Sequence, residues 1–104
     1  VVEEAARLCG ERGILFVADE IQTGMGRTGS FLACSRSGVV PDVVTLAKGL
    51  ANGLPMGALL ATEEVAKAFV PGTHASTFGG GPVIAAAALT VLNLLTQPKF
   101  MEAV

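Results

Sequence analysis

Apolar residues in this chain come in short runs, each cut by glycine, proline or a charged pair. Val2, Ala5, Ala6, Leu8 and Cys9 repeat at roughly helical spacing until Gly13, so Val1 to Arg12 reads as the end of a helix. Ile14 to Ala18 is continuously apolar, as in a strand of a parallel sheet buried on both faces, and Asp19-Glu20 ends it. Glycines dominate Thr23 to Gly29. Ser30 suits the cap of a short helix through Ser37, closed by Gly38. Pro41-Asp42 leads into a second apolar strand, Val43 to Ala47, which runs into Lys48. Gly49 to Pro55 reads as a loop and Gly57 to Ala61 as a third strand. Thr62-Glu63-Glu64 opens a helix ending near Val70. An irregular glycine-rich loop, Pro71 to Gly81, follows. Pro82 fits the first position of a helix reaching about Thr96. That helix is apolar nearly all round, which predicts burial.

The order helix, strand, helix, strand, strand, helix, helix argues for an α/β layer structure without internal repeats. Three short strands leave open edges and an uncovered face, so the segment expects neighbours outside this sequence. Composition sharpens that expectation. The 104 residues, about one domain's length, are 51% hydrophobic and 15% charged, against about 25% charged in ordinary soluble domains. Either a membrane segment or an interior slice of a larger protein would fit. The longest candidate span, Val83 to Leu95, falls short of the about 20 apolar residues required, and Thr90 and Asn93 interrupt it. Val1-Val2-Glu3-Glu4 has no signal-peptide pattern and no initiating Met. These features predict an internal piece of a longer cytoplasmic protein.

A net charge of −2, scattered basic residues and no Trp or Tyr leave no footprint for nucleic acid. Cys9 and Cys34 form no CxxC pair and read as free thiols. With His74 as the only histidine, no zinc cluster is expected.

Gly24-Met25-Gly26-Arg27-Thr28-Gly29 matches the G-x-G-x-x-G dinucleotide pattern, but the context is wrong. Asp19 to Thr23 separate it from the strand, and no long helix follows. It reads instead as a glycine turn reversing over a sheet edge. The stronger pair is Asp19 and Lys48, each at the end of an apolar strand. In open α/β sheets, ligands collect at the carboxyl ends of strands, so parallel neighbours would bring both side chains to one crevice. Such a pair could be a structural ion pair. Alternatively, a desolvated lysine amine is a nucleophile able to form a Schiff base. A carboxylate opposite a pyridine nitrogen keeps that ring protonated, which serves the electron-sink role of pyridoxal phosphate (PLP).

Three segments carry a family resemblance. Asp19-Glu20-Ile21-Gln22-Thr23-Gly24-Met25-Gly26-Arg27-Thr28-Gly29 resembles the signature loop of class III aminotransferases. Pro41-Asp42 with Leu46-Ala47-Lys48-Gly49-Leu50 is similar to their cofactor-lysine segment, and Gly72 to Gly80 to their late glycine loop. The resemblance implies residues 1–104 are part of the large PLP-binding domain of a fold-type I aminotransferase, with three strands, flanking helices and no complete second domain. It implies Lys48 as the Schiff-base and proton-transfer lysine, and Asp19 on the pyridinium nitrogen. Gln22 would lie near the ring hydroxyl and Ile21 on the ring face. Thr77 would bind the phosphate of the neighbouring subunit's cofactor in a homodimer. A loop hydroxyl beside backbone N–H groups also suits a phosphate on physical grounds. His74 gains no catalytic role, and Glu20 reads as a supporting hydrogen-bonded group. Ala68 to His74 and Leu54 to Ala58 are most similar to the acetylornithine branch. This implies small-molecule partners: N-acetylornithine or a related ω-amino donor, and 2-oxoglutarate.

The match has gaps. The family usually has Asn where Gly81 stands, and Asn would cap the last long helix better. Also missing are the earlier phosphate turn, the aromatic residue stacked on the ring, the substrate-carboxylate arginine and the small C-terminal domain. A truncated, non-catalytic fragment with at most weak PLP binding is therefore the alternative expectation.

Overall fold

Backbone pairing rather than burial decides where the strands begin. In the computed structural model, which describes residues 1–104, the elements are α1 (Val2–Glu11), β1 (Val17–Asp19), β2 (Val43–Leu46), β3 (Ala58–Ala61), α2 (Glu63–Ala66), α3 (Pro82–Leu95) and α4 (Pro98–Met101). One-turn 3₁₀ segments lie at Cys34–Ser37 and Lys48–Ala51. β2 is central. It runs parallel to β1, with Val17 opposite Val43 and Asp19 opposite Thr45. It runs antiparallel to β3, with Leu46 opposite Ala58. This is the expected α/β class, with three strands and flanking helices.

Asp42 fixes the amino end of the sheet. Its Oδ2 accepts from the Phe16 amide at 2.7 Å. Its own amide donates to the Phe16 carbonyl at 2.9 Å, and its carbonyl accepts from Thr62 at 2.9 Å. One residue thus ties the lead-in of β1 and the exit of β3 to the start of β2.

The core gathers Met25, Val44, Leu46, Leu50, Ala51 and Ala88. Met25 enters it because the glycine loop folds back over β2. Gly24 permits this approach, since a Cβ there would lie 2.8 Å from the Glu20 carbonyl and 2.9 Å from Leu46 Cδ2. α3 closes the core with Ala88, and Ile84, Val91, Leu92 and Leu95 pack beside it.

Several expected boundaries and burials differ. The first strand is Val17–Asp19 rather than Ile14 to Ala18, because the ladder with β2 starts at Val17. It is not buried on both faces: Val17 is 52% exposed. The helix expected from Ser30 is a single turn at Cys34–Ser37, although Gly38 closes it as anticipated, at φ 66°. The expected loop after Lys48 begins with a 3₁₀ turn that buries Leu50 and Ala51. α2 stops at Ala66, and α4 was not foreseen. The long helix forms where expected but is not buried. Ala88 alone is buried on α3, and Val83 is 77% exposed.

These exposures have one geometric cause. The molecule is a slab of 41 × 40 × 18 Å, and its accessible surface is 7242 Å². A folded monomer of this mass would expose about 5,400 Å². A layer this thin covers one face of each helix and leaves the other in water. No helix is long and apolar enough to cross a membrane.

Asp42→Ala should destabilise the chain by about 1–3 kcal/mol, the cost of leaving a part-buried amide unpartnered. Asp42→Asn, which retains an acceptor, should lose less. Urea midpoints of the two variants measure the difference.

Candidate active site

Asp19 ends β1 and Lys48 is the second residue after β2, so the parallel pairing brings both to the same end of the sheet. Asp19 Oδ1 accepts from the Thr45 hydroxyl at 3.0 Å and from the Ile21 amide at 3.1 Å. Its Oδ2 receives no hydrogen bond from the protein. Lys48 Nζ donates to Gln22 Oε1 at 3.0 Å. Asp19 and Lys48 form no ion pair within 4.0 Å, and both are exposed. The structural ion pair and the desolvated amine considered from sequence are therefore both absent in this chain, because nothing packs over this end of the sheet.

Lys48 is held unusually. Its φ is 47°, in the left-handed region that costs an L-residue roughly 1–2 kcal/mol. Strain of this kind persists where the surroundings over-determine it, and it clusters at functional sites. Here the constraint is plain. β2 must end at Leu46, and the next turn must bury Leu50 and Ala51 beneath α3.

Glu20 points the other way. It is 3% exposed. Its carboxylate accepts from the Thr23 hydroxyl at 2.5 Å, the Ala33 amide at 3.1 Å and the Cys34 amide at 2.7 Å. Burial raises its pKa, but the Thr23 hydroxyl, the Cys34 and Ala33 amides and the Cys34 side chain together outweigh burial, and the net shift is downward. Burial, with the neighbouring Glu20 carboxylate second, pushes the Cys34 thiol up. Cys9 and Cys34 are both free.

Thr77 makes no hydrogen bond to Lys48, Asp19 or Gln22. It lines a shallow recess with Phe78, Pro82 and Val83. His74 and Ser76 border a separate cleft of about 600 Å³ against Pro55 and Met56. Within one chain, hydrogen bonds link Lys48 to Gln22 and Asp19 to Ile21, and none links Thr77 to them. Sequence reasoning passed over Thr45, which orients Asp19. Its signal was the lone hydroxyl in the run Val43-Val44-Thr45-Leu46-Ala47.

Residues 1–104 match the sequence pattern described as Aminotransferase class-III. The chain belongs to this family. Class III aminotransferases are PLP-dependent. The chain is 60% identical over 90 residues to the acetylornithine aminotransferase of Corynebacterium efficiens, covering 86% of this chain and 22% of that protein. Its fold superposes on the acetylornithine aminotransferase of Elizabethkingia anophelis with a TM-score of 0.91 and 39% identity, covering 97% of this chain and 25% of that one. An ornithine aminotransferase of Toxoplasma gondii, described with partial PLP occupancy at its active site, gives 0.91 and 39% over 97% of this chain and 24% of its own. The chain thus spans about a quarter of these relatives' length.

The donor set fits the two groups of such a cofactor that lie across its ring from each other, the aldehyde and the ring nitrogen. Lys48 offers a primary amine with no carboxylate partner. Asp19 offers a carboxylate already oriented through one oxygen, with the other open.

Lys48→Gly should be more stable than Lys48→Ala by up to about 1 kcal/mol, since glycine relieves the positive φ but adds unfolded-state freedom. Paired urea titrations measure it. Glu20 sets an acid limb. Its folded pKa lies below its unfolded value, so the stabilisation is complete above the ordinary glutamate range. It is lost as pH falls through the lowered value. Glu20→Gln should be less stable at neutral pH and show a flatter acid limb in unfolding midpoints measured against pH.

Proposed function

We propose that this chain carries the lysine-and-aspartate portion of the PLP site of an aminotransferase. The enzyme would move the amino group of N-acetylornithine, or a related ω-amino donor, to 2-oxoglutarate. The observation carrying this reading is the placement of Lys48 and Asp19 at the carboxyl ends of adjacent parallel strands, with Lys48 Nζ on Gln22 Oε1 at 3.0 Å. The donor class follows the printed names of the relatives, and residues 1–104 would be part of one large cofactor-binding domain.

When bound, PLP supplies an electron sink for proton loss at the substrate carbon. The chain's own residues have separate tasks. Lys48 would hold the cofactor as its Schiff-base lysine and, once the substrate amine has displaced it, its free Nζ would move the proton from the amine-bearing substrate carbon to the cofactor carbon. Asp19, fixed by Thr45, would keep the ring nitrogen protonated. Gln22, on Lys48 Nζ, would lie near the ring hydroxyl, and Ile21 would cover a ring face. Thr77 would serve the cofactor phosphate of a neighbouring subunit in a homodimer. The cytoplasm is the proposed location.

A second reading, a non-catalytic piece with at most weak PLP binding, is favoured by the exposure of Lys48. An amine in open water is not activated by desolvation.

Borohydride trapping separates the two readings. The chain is mixed with PLP, reduced, digested and mapped by mass spectrometry, with Lys67 and Lys99 as internal controls. Label concentrated on Lys48 is the expected result. Label spread evenly over the three lysines, or absent, would reject a formed cofactor site here and leave the second reading standing.

A further inference from the structure

Asp19 and Glu20 are consecutive carboxylates with opposite fates, and the turn between β1 and the glycine loop explains why. The Glu20 amide donates to the Thr45 carbonyl at 3.0 Å, extending the parallel ladder past Asp19. Its carbonyl accepts from the Gly24 amide at 2.9 Å, closing the turn 20–24. Its side chain holds Thr23 on one side and the Ala33–Cys34 backbone on the other. Gln22 itself has no anchor except Lys48. It lies between two fixed points, Glu20 and Thr23, and both depend on the one buried carboxylate.

We propose that Glu20 is a positioning residue, which acts through Thr23 and the closed turn to hold the Gln22 amide oxygen against Lys48 Nζ. Its functional meaning rests on the reading of Lys48 as the cofactor lysine, whereas the coupling itself is testable without cofactor. The chemistry is suited to the task. A carboxylate has acceptor sites for three donors at once, and charge-assisted bonds are stronger than neutral ones. A glutamine of the same shape presents one oxygen and an NH₂ group, so one of the three donors would face another donor. The turn would then lose an anchor without losing volume.

The test is a double-mutant cycle read by limited acylation with acetic anhydride at fixed pH, without PLP. Mass spectrometry scores labelling of Lys48 relative to Lys67 and Lys99. Gln22→Ala removes the acceptor and should raise relative labelling of Lys48 about threefold, the scale of one modest hydrogen bond. Glu20→Gln should raise it by a similar factor, and the pair Glu20→Gln/Gln22→Ala no further, since residues acting in series are not additive. Thr23→Val should follow Glu20→Gln, while Thr23→Ser, which keeps the donor, should stay at the wild-type ratio. This pair perturbs one bond only, so it reads out even if Glu20→Gln unfolds. Val43→Ala, a buried change at the amino end of β2, controls for general loosening.

The inference is overturned if Gln22→Ala leaves the ratio unchanged, or if the Glu20 and Gln22 effects multiply. It is also overturned if Thr23→Val matches Thr23→Ser or Val43→Ala reproduces the shift. The borohydride experiment fails or succeeds separately, on the wild-type chain, so loss of the cofactor reading is distinguishable from loss of the coupling.

Discussion

The parallel pairing of β1 with β2 is the constraint on which the rest depends. Three residues of β1 cannot hold a register by themselves, since a short edge ladder contributes few hydrogen bonds and slips easily. Carboxylates pin it at both ends. At the amino end, Asp42 clasps the Phe16 amide and carbonyl. At the carboxyl end, Asp19 takes the Thr45 hydroxyl, and the Glu20 amide takes the Thr45 carbonyl. A slip of one residue would break all of these together. It would also turn Asp19 to the opposite face, because side chains alternate along a strand.

That alternation lets two adjacent acids do different work. Asp19 faces solvent with one oxygen free, whereas Glu20 faces inward and is fully engaged. The difference lies in partners rather than residue type. Lys48 shows the same logic in the backbone. Its positive φ turns the chain sharply from β2 into the 3₁₀ turn, so Leu50 and Ala51 go under α3 while the side chain stays on the crevice side.

Much of this was legible in the sequence, and the limits were physical. The strand positions, the long helix after Pro82 and the loop motifs were readable because aliphatic runs, glycines and proline carry local meaning. The placement of Asp19 and Lys48 at the same end of the sheet was readable because each closes an apolar run, and the two runs pair in parallel. The start of β1 was not readable, because Ile14 and Leu15 are as aliphatic as Val17 and only the partner strand decides which residues pair. Nor was the fate of Ser30 to Ala33, which resembles a helix start until the Glu20 carboxylate, fourteen positions before Cys34, claims the amides of Ala33 and Cys34. Thr45 was missed for a related reason. Its importance lies in being opposite Asp19, and registers are properties of pairs. Burial failed most clearly for α3, since uniform apolarity predicts a covered helix but cannot say what covers it.

The exposed apolar face and the exposed lysine belong to one problem. Geometry and dielectric are separate contributions to a reactive amine. On the proposed reading, this chain would supply the first through the register, the turn at Glu20 and the backbone at Lys48. It does not supply the second. Two unit charges at 4 Å interact by about 1 kcal/mol in bulk water and about 4 kcal/mol near a protein surface of lower effective dielectric, so the same Asp19 and Lys48 would act more strongly with the crevice covered. Val17 and Val83 are among the large apolar side chains left in water, and burying them would favour a cover, since apolar surface returns roughly 25 cal/mol per Å² when removed from water. The surface that would stabilise a covering layer and the site that would benefit from one are thus built into the same thin slab.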